Sequence, residues 1–178
     1  MTLVSEPLPG VRVLRPFIHR DDRGEFVKTF HEDQLSAHGI SLHLREEFFS
    51  TSAAGVLRGM HFQTPPFAHQ KLVYCISGSV LDVILDLRKD SPTFGRPKSV
   101  ELSSENRHFI HIPVGFAHGF LSLTEGSCLV YKTDCPHAPS HDLGIRWDSF
   151  GFDWPITTPR LSPRDAAFPS FEEFESPF

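Results

Sequence analysis

Apolar and polar residues alternate along most of this chain in short runs. A period of two is typical of β-strands that bury one face. Pro16 marks the end or the edge of the first run, and residues 21–24 (DDRG) predict a turn before a half-buried strand. The pattern predicts further strands in residues 10–18, 42–52, 98–103, 126–134 and 143–148, and two strands in residues 108–123.

Helical patterns are few and short. Residues 31–40 are the best internal helix candidate, with Gly39 near the C-terminal end. Residues 161–168 predict a helix start with Ser162 as N-cap. Many short strands with little helix between them predict an all-β sandwich or barrel. Since there is no internal repeat and no linker, we expect one domain over residues 1–178.

The clearest local signal is the segment KLVYCISGSVLDVILDLRKD, residues 71–90. Two apolar runs flank Ser77 and Gly78, which predicts a β-hairpin with a two-residue loop. The register of that hairpin makes Lys71 and Asp82 diagonal neighbours on one largely apolar face. Burying both charges is costly unless they are paired or used, so a structural ion pair and a functional pair both remain open.

The segment GVLRGMHFQ, residues 55–63, carries polar residues within a strand pattern. Arg58 and His61 are three positions apart, so a regular strand would point them to opposite faces. If both serve one pocket, the strand must bend or bulge, and Gly59 is the residue that permits it. The alternative is that Arg58 lies on the surface.

Three polar residues have a structural interpretation that the residues alone do not exclude. A lone histidine in a strand, such as His61, is more often structural than catalytic. Tyr131 is one of only two tyrosines and is compatible with a core aromatic whose hydroxyl is hydrogen-bonded. Asp165 is placed to complete a capping box with Ser162, and the residues alone favour that role.

The composition limits the classes of partner. Hydrophobic residues make up 39% of the chain and charged residues 22%, which supports a packed core. The net charge of -5 argues against bulk nucleic-acid binding, although a few arginines could hold an anionic small molecule. No apolar run approaches the roughly 20 residues that span a bilayer. We therefore expect neither nucleic acid nor a membrane as a partner.

The cysteines indicate the compartment. Cys75, Cys128 and Cys135 show no C-x-x-C spacing and no disulfide framework. A reducing compartment is the simplest explanation. The first residues also lack the basic and apolar regions of a signal peptide, so we expect a cytoplasmic protein.

Eleven histidines raise the question of a metal site. A metal-binding strand of this class would carry an H-x-H pair with a nearby glutamate, but the next histidine after His61 is His69. His111 and His118 could add ligands, so a metal remains the less favoured alternative.

Several motifs occur in an order that resembles a known family. They are DDRG, VLRGMHFQ, KLVYCISGSVLDVILDLRKDSPTFG, IPVGFAHGF, YK and LSPRDAA, and the resemblance runs from Val11 to Pro169. The chain resembles the dTDP-4-dehydrorhamnose 3,5-epimerase family of cupin-fold sugar-nucleotide epimerases. The resemblance implies a cupin-type jelly-roll barrel with a few short helices, a homodimer, and neither a metal nor a redox cofactor. It implies nucleotide-diphospho 4-keto-6-deoxy sugars as substrates, inverted at carbons beside the C4 ketone.

The resemblance also implies catalytic roles. His61 is similar to the family's catalytic base and Asp165 to the carboxylate that orients it. Lys71 resembles the group that stabilises the enolate oxygen, and Tyr131 the acid that returns a proton on the opposite face. The chemistry agrees, because a C–H beside a ketone needs a positioned base and a site for the negative charge.

Further positions resemble substrate contacts. Arg58 and Arg23 resemble the family's diphosphate contacts, with Arg23 reaching across from the dimer partner. His118 resembles a pocket residue near the diphosphate, and Asp82 a pocket carboxylate. Gln63, at the end of the VLRGMHFQ motif, is a further expected substrate contact.

The chain departs from the family pattern at the nucleotide end. Glu46 and Phe48 stand where dTDP-specific members have Gln-x-Asn, and Lys28 stands where they have glutamate. Pro136 and His137 replace two tyrosines. We expect Glu46, Phe48, Lys28 and His137 to contact the substrate. The nucleotide (dTDP, CDP or GDP) and the number of inverted centres, C3 alone or C3 and C5, stay open. Alternatives are a 3,4-ketoisomerase and a non-catalytic sugar-nucleotide-binding cupin.

Overall fold

The computed structural model describes all 178 residues. It contains thirteen strands: β1 (Thr2–Ser5), β2 (Arg12–Arg15), β3 (Ile18–Asp21), β4 (Gly24–Val27), β5 (Glu46–Ser52), β6 (Leu57–Gln63), β7 (Lys71–Ser77), β8 (Ser79–Asp86), β9 (Pro97–Ser103), β10 (Phe109–Ile112), β11 (Phe116–Ser122), β12 (Ser127–Thr133) and β13 (Asp142–Gly144). Helical segments are α1 (Glu32–Ser36), α2 (Pro163–Ala166) and a 3-10 turn (Phe171–Glu173). None of these helices has the length and apolar character needed to cross a bilayer.

Two antiparallel sheets form the body of the fold. The six-stranded sheet has the order β1-β2-β10-β7-β12-β5, and the five-stranded sheet the order β13-β6-β11-β8-β9. A core cluster between them takes residues from both sheets, including Val73 and Leu129 from one and Ile84 and Phe120 from the other. Because the connections run between non-neighbouring strands and between sheets, this is a jelly roll. The prediction of an all-β cupin-type barrel with a few short helices is confirmed.

The predicted hairpin at Ser77 and Gly78 is wrong. Strand β7 pairs with β10 and β12, whereas β8 pairs with β11 and β9, so the chain passes from one sheet to the other at Gly78. Gly78 has φ +73°, and an added Cβ would lie 2.4 Å from Thr124 Oγ1. The sequence pattern of two apolar runs around a Ser-Gly pair is the same whether the two strands pair with each other or belong to different sheets. Lys71 and Asp82 therefore lie in opposite sheets and are not diagonal neighbours.

Strands β3 and β4 form a separate two-stranded ribbon. The predicted turn at residues 21–24 is present, but the strand after it is exposed and not half-buried, with Phe26 at 58% exposure. An ion pair from Arg107 to Glu25 links the ribbon to the barrel. The alternation of apolar and polar residues in this segment therefore corresponds to a two-stranded ribbon that is exposed in the single chain.

Strand β6 carries the predicted irregularity. His118 and Phe120 of β11 oppose His61 and Arg58, so two steps on β11 match three on β6. Gly59 has φ +135°, and a Cβ there would lie 2.5 Å from the Gly119 Cα. The bulge turns residues of opposite parity toward the same side of the sheet.

Candidate active site

A cavity of about 390 Å³ opens between the two sheets. Its walls come mainly from β5, β6, β7, β11 and β12 and from the loop after β12. The predicted site residues that line it are Arg58, His61, Gln63, Lys71, His118, Tyr131, Glu46, Phe48 and His137. The residues lining it that the sequence did not single out as substrate contacts include Ser50, His69, Cys135 and Asp142.

His61 forms a short hydrogen bond with Asp165. Its Nε2 lies 2.8 Å from Asp165 Oδ1, and the Asp165 side chain is 5% exposed. The other carboxylate oxygen accepts from the Gly59 N–H at 3.4 Å. Burial raises the pKa of Asp165, but the hydrogen bond and charge of His61, together with hydrogen bonds from Gly59 and Ser162, outweigh burial and hold that pKa below its usual value. The imidazole Nδ1 makes no hydrogen bond within the chain and is the nitrogen left for a substrate.

The C-terminal segment places Asp165 beside β6. Arg160 N donates to Gly55 O, and Leu57 N donates to Arg160 O, which lays the segment along the start of β6. Ser162 then caps α2 by accepting from Asp165 N at 3.0 Å, as predicted. The Asp165 carboxylate bonds to His61 and to the Gly59 N–H, so its role extends beyond the helix cap that the residues alone favoured.

Lys71 extends from the opposite sheet toward His61. Its Nζ donates to the His61 carbonyl oxygen at 3.2 Å. Burial lowers the pKa of Lys71 to about 8, against the opposing effect of the Asp142 and Asp82 carboxylates. The Lys71 ammonium therefore loses its proton more readily than an exposed lysine does. It can share that proton with an atom on which negative charge develops.

Tyr131 stands on the wall opposite His61, since β12 and β6 belong to different sheets. Its ring stacks on Phe48 with centroids 4.8 Å apart and planes 12° apart. Its hydroxyl lies 3.3 Å from Ser50 Oγ. Burial raises the pKa of Tyr131 above its ordinary value, so the phenol is protonated at neutral pH.

Arg58 bridges the two sheets at the edge of the cavity. Its Nε donates to Ser52 Oγ and its Nη2 to Thr51 O, both at 3.1 Å. Arg58 is an exposed residue, as the alternative expected, but its side chain also lines the same cavity as His61.

His118 and Asp82 form a buried pair. His118 Nε2 lies 2.7 Å from Asp82 Oδ2, and the two side chains are 3% and 0% exposed. Burial lowers the pKa of His118, and the Asp82 charge only partly opposes this. Asp82 does not line the cavity, so its prediction as a pocket carboxylate is corrected. It bonds to His118, and His118 lines the cavity.

The rim of the cavity is built around His137. Its N–H donates to Glu46 Oε2 at 2.8 Å, and its Nε2 lies 3.1 Å from Asp142 Oδ2. Gln63 bonds to two loops through its amide, accepting from Ala138 N in the loop after β12 and donating to Phe67 O in the loop after β6. The Gln63 amide thus holds the loop that carries His137 over the cavity.

His69 lies beside Lys71 on the cavity wall. Burial, reinforced by the Lys71 cation, lowers the pKa of His69 to about 3. Its imidazole is therefore neutral. His69 lies in the loop before β7, so strand alternation does not mark it in the sequence.

Arg23 and Lys28 lie outside the cavity of their own chain. The Arg23 side chain is 83% exposed and bonds to Asp21 in the β3–β4 turn. Lys28 follows β4 and is half-buried. Their expected roles remain predictions. No group of three or more His, Cys, Asp or Glu side chains is arranged to hold a metal ion.

Known proteins resemble this chain over most of its length. Residues 5–173 match the family model described as dTDP-4-dehydrorhamnose 3,5-epimerase. A curated relative of that name from Shigella flexneri is 39% identical over 168 residues, covering 93% of each chain. The chain belongs to the dTDP-4-dehydrorhamnose 3,5-epimerase family. Members of the family are isomerases that act on sugar nucleotides, as predicted.

Solved structures of related enzymes also resemble this epimerase in three dimensions. The dTDP-4-dehydrorhamnose 3,5-epimerase of Bacillus anthracis, with TDP and PPi bound, has a TM-score of 0.93 at 36% identity and covers 95% of this chain and 98% of its own. A 3'-monoepimerase from Streptomyces bikiniensis in complex with dTDP-quinovose has a TM-score of 0.86 at 32% identity, with 92% and 84% covered. Relatives therefore include enzymes named for one centre and for two.

Proposed function

We propose that this epimerase inverts C3, C5 or both in a nucleotide-diphospho 4-keto-6-deoxy sugar. The observation that carries the proposal is that His61 and Tyr131 stand on opposite walls of one cavity, with the Lys71 ammonium nearby. Inversion needs a base on one face of the sugar ring and an acid on the other. This arrangement supplies both without either residue having to move around the substrate.

His61 removes the proton beside the ketone. The acceptor is Nδ1, since Nε2 is committed to Asp165. The carboxylate of Asp165 holds the ring in the orientation and tautomer that expose Nδ1, and it stabilises the imidazolium that forms. Backbone support from Gly59 fixes the carboxylate in turn.

Lys71 stabilises the enolate. When the proton leaves carbon, negative charge develops on the C4 oxygen, and a cation in a cavity with little water stabilises that charge more than bulk solvent does. The depressed pKa of Lys71 also makes its proton available to the oxygen. Tyr131 then gives its phenolic proton to carbon from the opposite face, which completes the inversion.

Arg58 supplies a cation for the diphosphate. A guanidinium suits a diphosphate because it can donate two parallel hydrogen bonds. We further propose a homodimer in which Arg23 of one chain reaches the partner's cavity. The supporting observation is that the β3–β4 ribbon is exposed and presents Arg23 to its surroundings.

The nucleotide contacts are expected from Glu46, Phe48, Lys28 and His137. His118 is expected near the diphosphate, and Gln63 is a further expected substrate contact. Relatives solved with TDP and with dTDP-quinovose make a thymidine nucleotide the first candidate. CDP and GDP sugars are the alternatives because these positions depart from the family pattern. We also infer a cytoplasmic location, which the three unpaired thiols support.

The test is solvent-deuterium uptake. Incubation with each 4-keto-6-deoxy sugar nucleotide in deuterated water should place one deuteron in the product for one centre and two for both, as counted by mass spectrometry. A 3,4-ketoisomerase would instead yield a product with a displaced ketone, visible by NMR. Absence of uptake with dTDP, CDP and GDP substrates would refute the proposal, and unchanged turnover in His61→Ala would refute the role of His61.

A further inference from the structure

Strand β5 presents two side chains to Tyr131 that the catalytic roles leave unexplained. Phe48 is the register partner of Tyr131 across the β5–β12 pair, and the two rings stack 12° from parallel. Ser50 lies two residues further on the same face of β5, and its Oγ is 3.3 Å from the phenolic oxygen. Both side chains line the cavity.

These contacts restrict Tyr131 in two ways. The stack with Phe48 limits rotation of the ring about χ1 and χ2. The hydrogen bond to Ser50 is the only one that the phenolic oxygen makes within the chain, so Ser50 alone fixes the position of that oxygen. Tyr131 itself is 7% exposed, so most of its side chain is held by packing.

Proton return places a charge on that oxygen. The enolate π electrons form the new C–H bond, the Tyr131 O–H bond breaks, and a phenolate remains until solvent reprotonates it. His61, now an imidazolium, loses its extra proton to solvent, so the balance closes without any other reactant. Burial opposes the phenolate by raising the pKa of Tyr131, while the Ser50 hydrogen bond and then the Arg58 charge act in its favour.

We propose that Ser50, supported by Phe48, is a positioning residue that holds the Tyr131 hydroxyl at the face where the proton is returned and donates a hydrogen bond to the phenolate. This inference rests on the proposed function. Ser50 acts on one half of the reaction, because it hydrogen-bonds to Tyr131 and makes no hydrogen bond to His61 or Lys71. Removal of its hydroxyl should impair proton return and leave proton removal intact.

The separation gives a specific signature. Without Ser50, His61 still removes the proton, exchanges it with solvent and returns a deuteron to the same face. Substrate recovered from deuterated water should therefore carry deuterium with unchanged stereochemistry. The ratio of exchange without inversion to inversion is the quantity that Ser50 controls.

The experiment compares Ser50→Ala, Ser50→Thr and Phe48→Leu with the wild-type chain in deuterated water. NMR measures the inverted product, and mass spectrometry measures deuterium in the recovered substrate. For Ser50→Ala we expect inversion to slow by about 10- to 100-fold, the range for a lost hydrogen bond to a charged group, while uptake into substrate stays within a few-fold. Ser50→Thr keeps the hydroxyl and should restore inversion, and Phe48→Leu should shift the ratio in the same direction as Ser50→Ala.

Ser99→Ala is the matched control, since Ser99 is an exposed serine of β9 outside the cavity. Thermal melting of each variant checks that the barrel is folded. The inference is overturned if Ser50→Ala leaves the ratio unchanged, whether both rates fall together or neither falls. If the wild-type chain itself takes up no deuterium, the proposed function fails instead, so the two failures are distinct.

Discussion

His61 and Asp165 are 104 positions apart in the sequence, yet their side chains meet at 2.8 Å. That contact decides which imidazole nitrogen is free, because Asp165 occupies Nε2 and leaves Nδ1 for the substrate. At the scale of single residues, the proposed chemistry thus depends on pairs: Asp165 orients His61, and Ser50 orients Tyr131.

Replacing Asp165 tests the first pair. Asp165→Asn keeps the size of the side chain but removes the charge that stabilises the imidazolium, so turnover should fall by about 100-fold or more. Steady-state kinetics measures the loss. Asp148→Asn is the control, because Asp148 forms an ion pair with Arg146 at the surface. An Asp165→Asn enzyme that kept more than a tenth of wild-type turnover would contradict the orienting role.

The pKa of Lys71 predicts a pH dependence. Below about pH 8 the group is an ammonium and stabilises the enolate, so turnover should fall as the pH rises through about 8. Arginine stays charged throughout this range. A profile of turnover from pH 6 to 10 should therefore show the fall in the wild-type enzyme and lose it in Lys71→Arg, whatever the absolute rate of that variant. The same fall in both enzymes would assign it to another group.

At the scale of elements, the bulge in β6 brings Arg58 and His61 into one cavity. A regular strand would point them to opposite faces. Two features restrict position 59 to glycine. Its φ of +135° disfavours any residue with a side chain, and an added Cβ would clash with the Gly119 Cα. The element that carries the proposed base therefore depends on a glycine that does not line the cavity.

Gly59→Ala should destabilise the fold by about 2 kcal/mol or more, because strained backbone and a clash with backbone atoms act together. Gly24→Ala is a close control: Gly24 has φ +127°, but nothing lies within 4 Å of its added Cβ. Urea unfolding compares the two free energies of unfolding. Equal losses would show that the approach of Gly119 contributes nothing.

At the scale of the whole molecule, the two sheets place the proposed base and the proposed acid on opposite walls of the cavity. The five-stranded sheet carries His61 and His118, and the six-stranded sheet carries Lys71 and Tyr131. The barrel therefore sets the distance between base and acid. The exposed β3–β4 ribbon lies apart from both sheets and carries Arg23, which we propose acts in a partner's cavity.

Mixed dimers test that arrangement. Arg23→Ala and His61→Ala chains should each be poorly active alone. If Arg23 acts in the partner's cavity, each heterodimer contains one intact site, and an equimolar mixture after subunit exchange should regain about a quarter of wild-type activity. Sedimentation velocity measures the oligomeric state in the same samples. A mixture no more active than its components would place Arg23 outside the partner's site, and a monomer would exclude the dimer.

Local sequence was a good guide wherever the interaction was local. Alternation identified most strands, although β1 and β3 were missed, and the Ser162 cap and the irregularity at Gly59 were both predicted correctly. Pairing between strands was not local, and there the prediction failed: the turn at Gly78 looked like a hairpin and is a crossing between sheets.

The sequence by itself determined the strand-rich class, the ordered family motifs and the residue types available for acid–base chemistry. Only the tertiary structure decided that Asp82 lies behind His118, that Ser50 and Phe48 hold Tyr131, and that His69 and Asp142 join the cavity wall. The physical reason is that a period of two fixes which face a side chain takes but not which strand lies beside it. Strand neighbours follow from burial of the whole core, a property of the folded chain that no short segment contains.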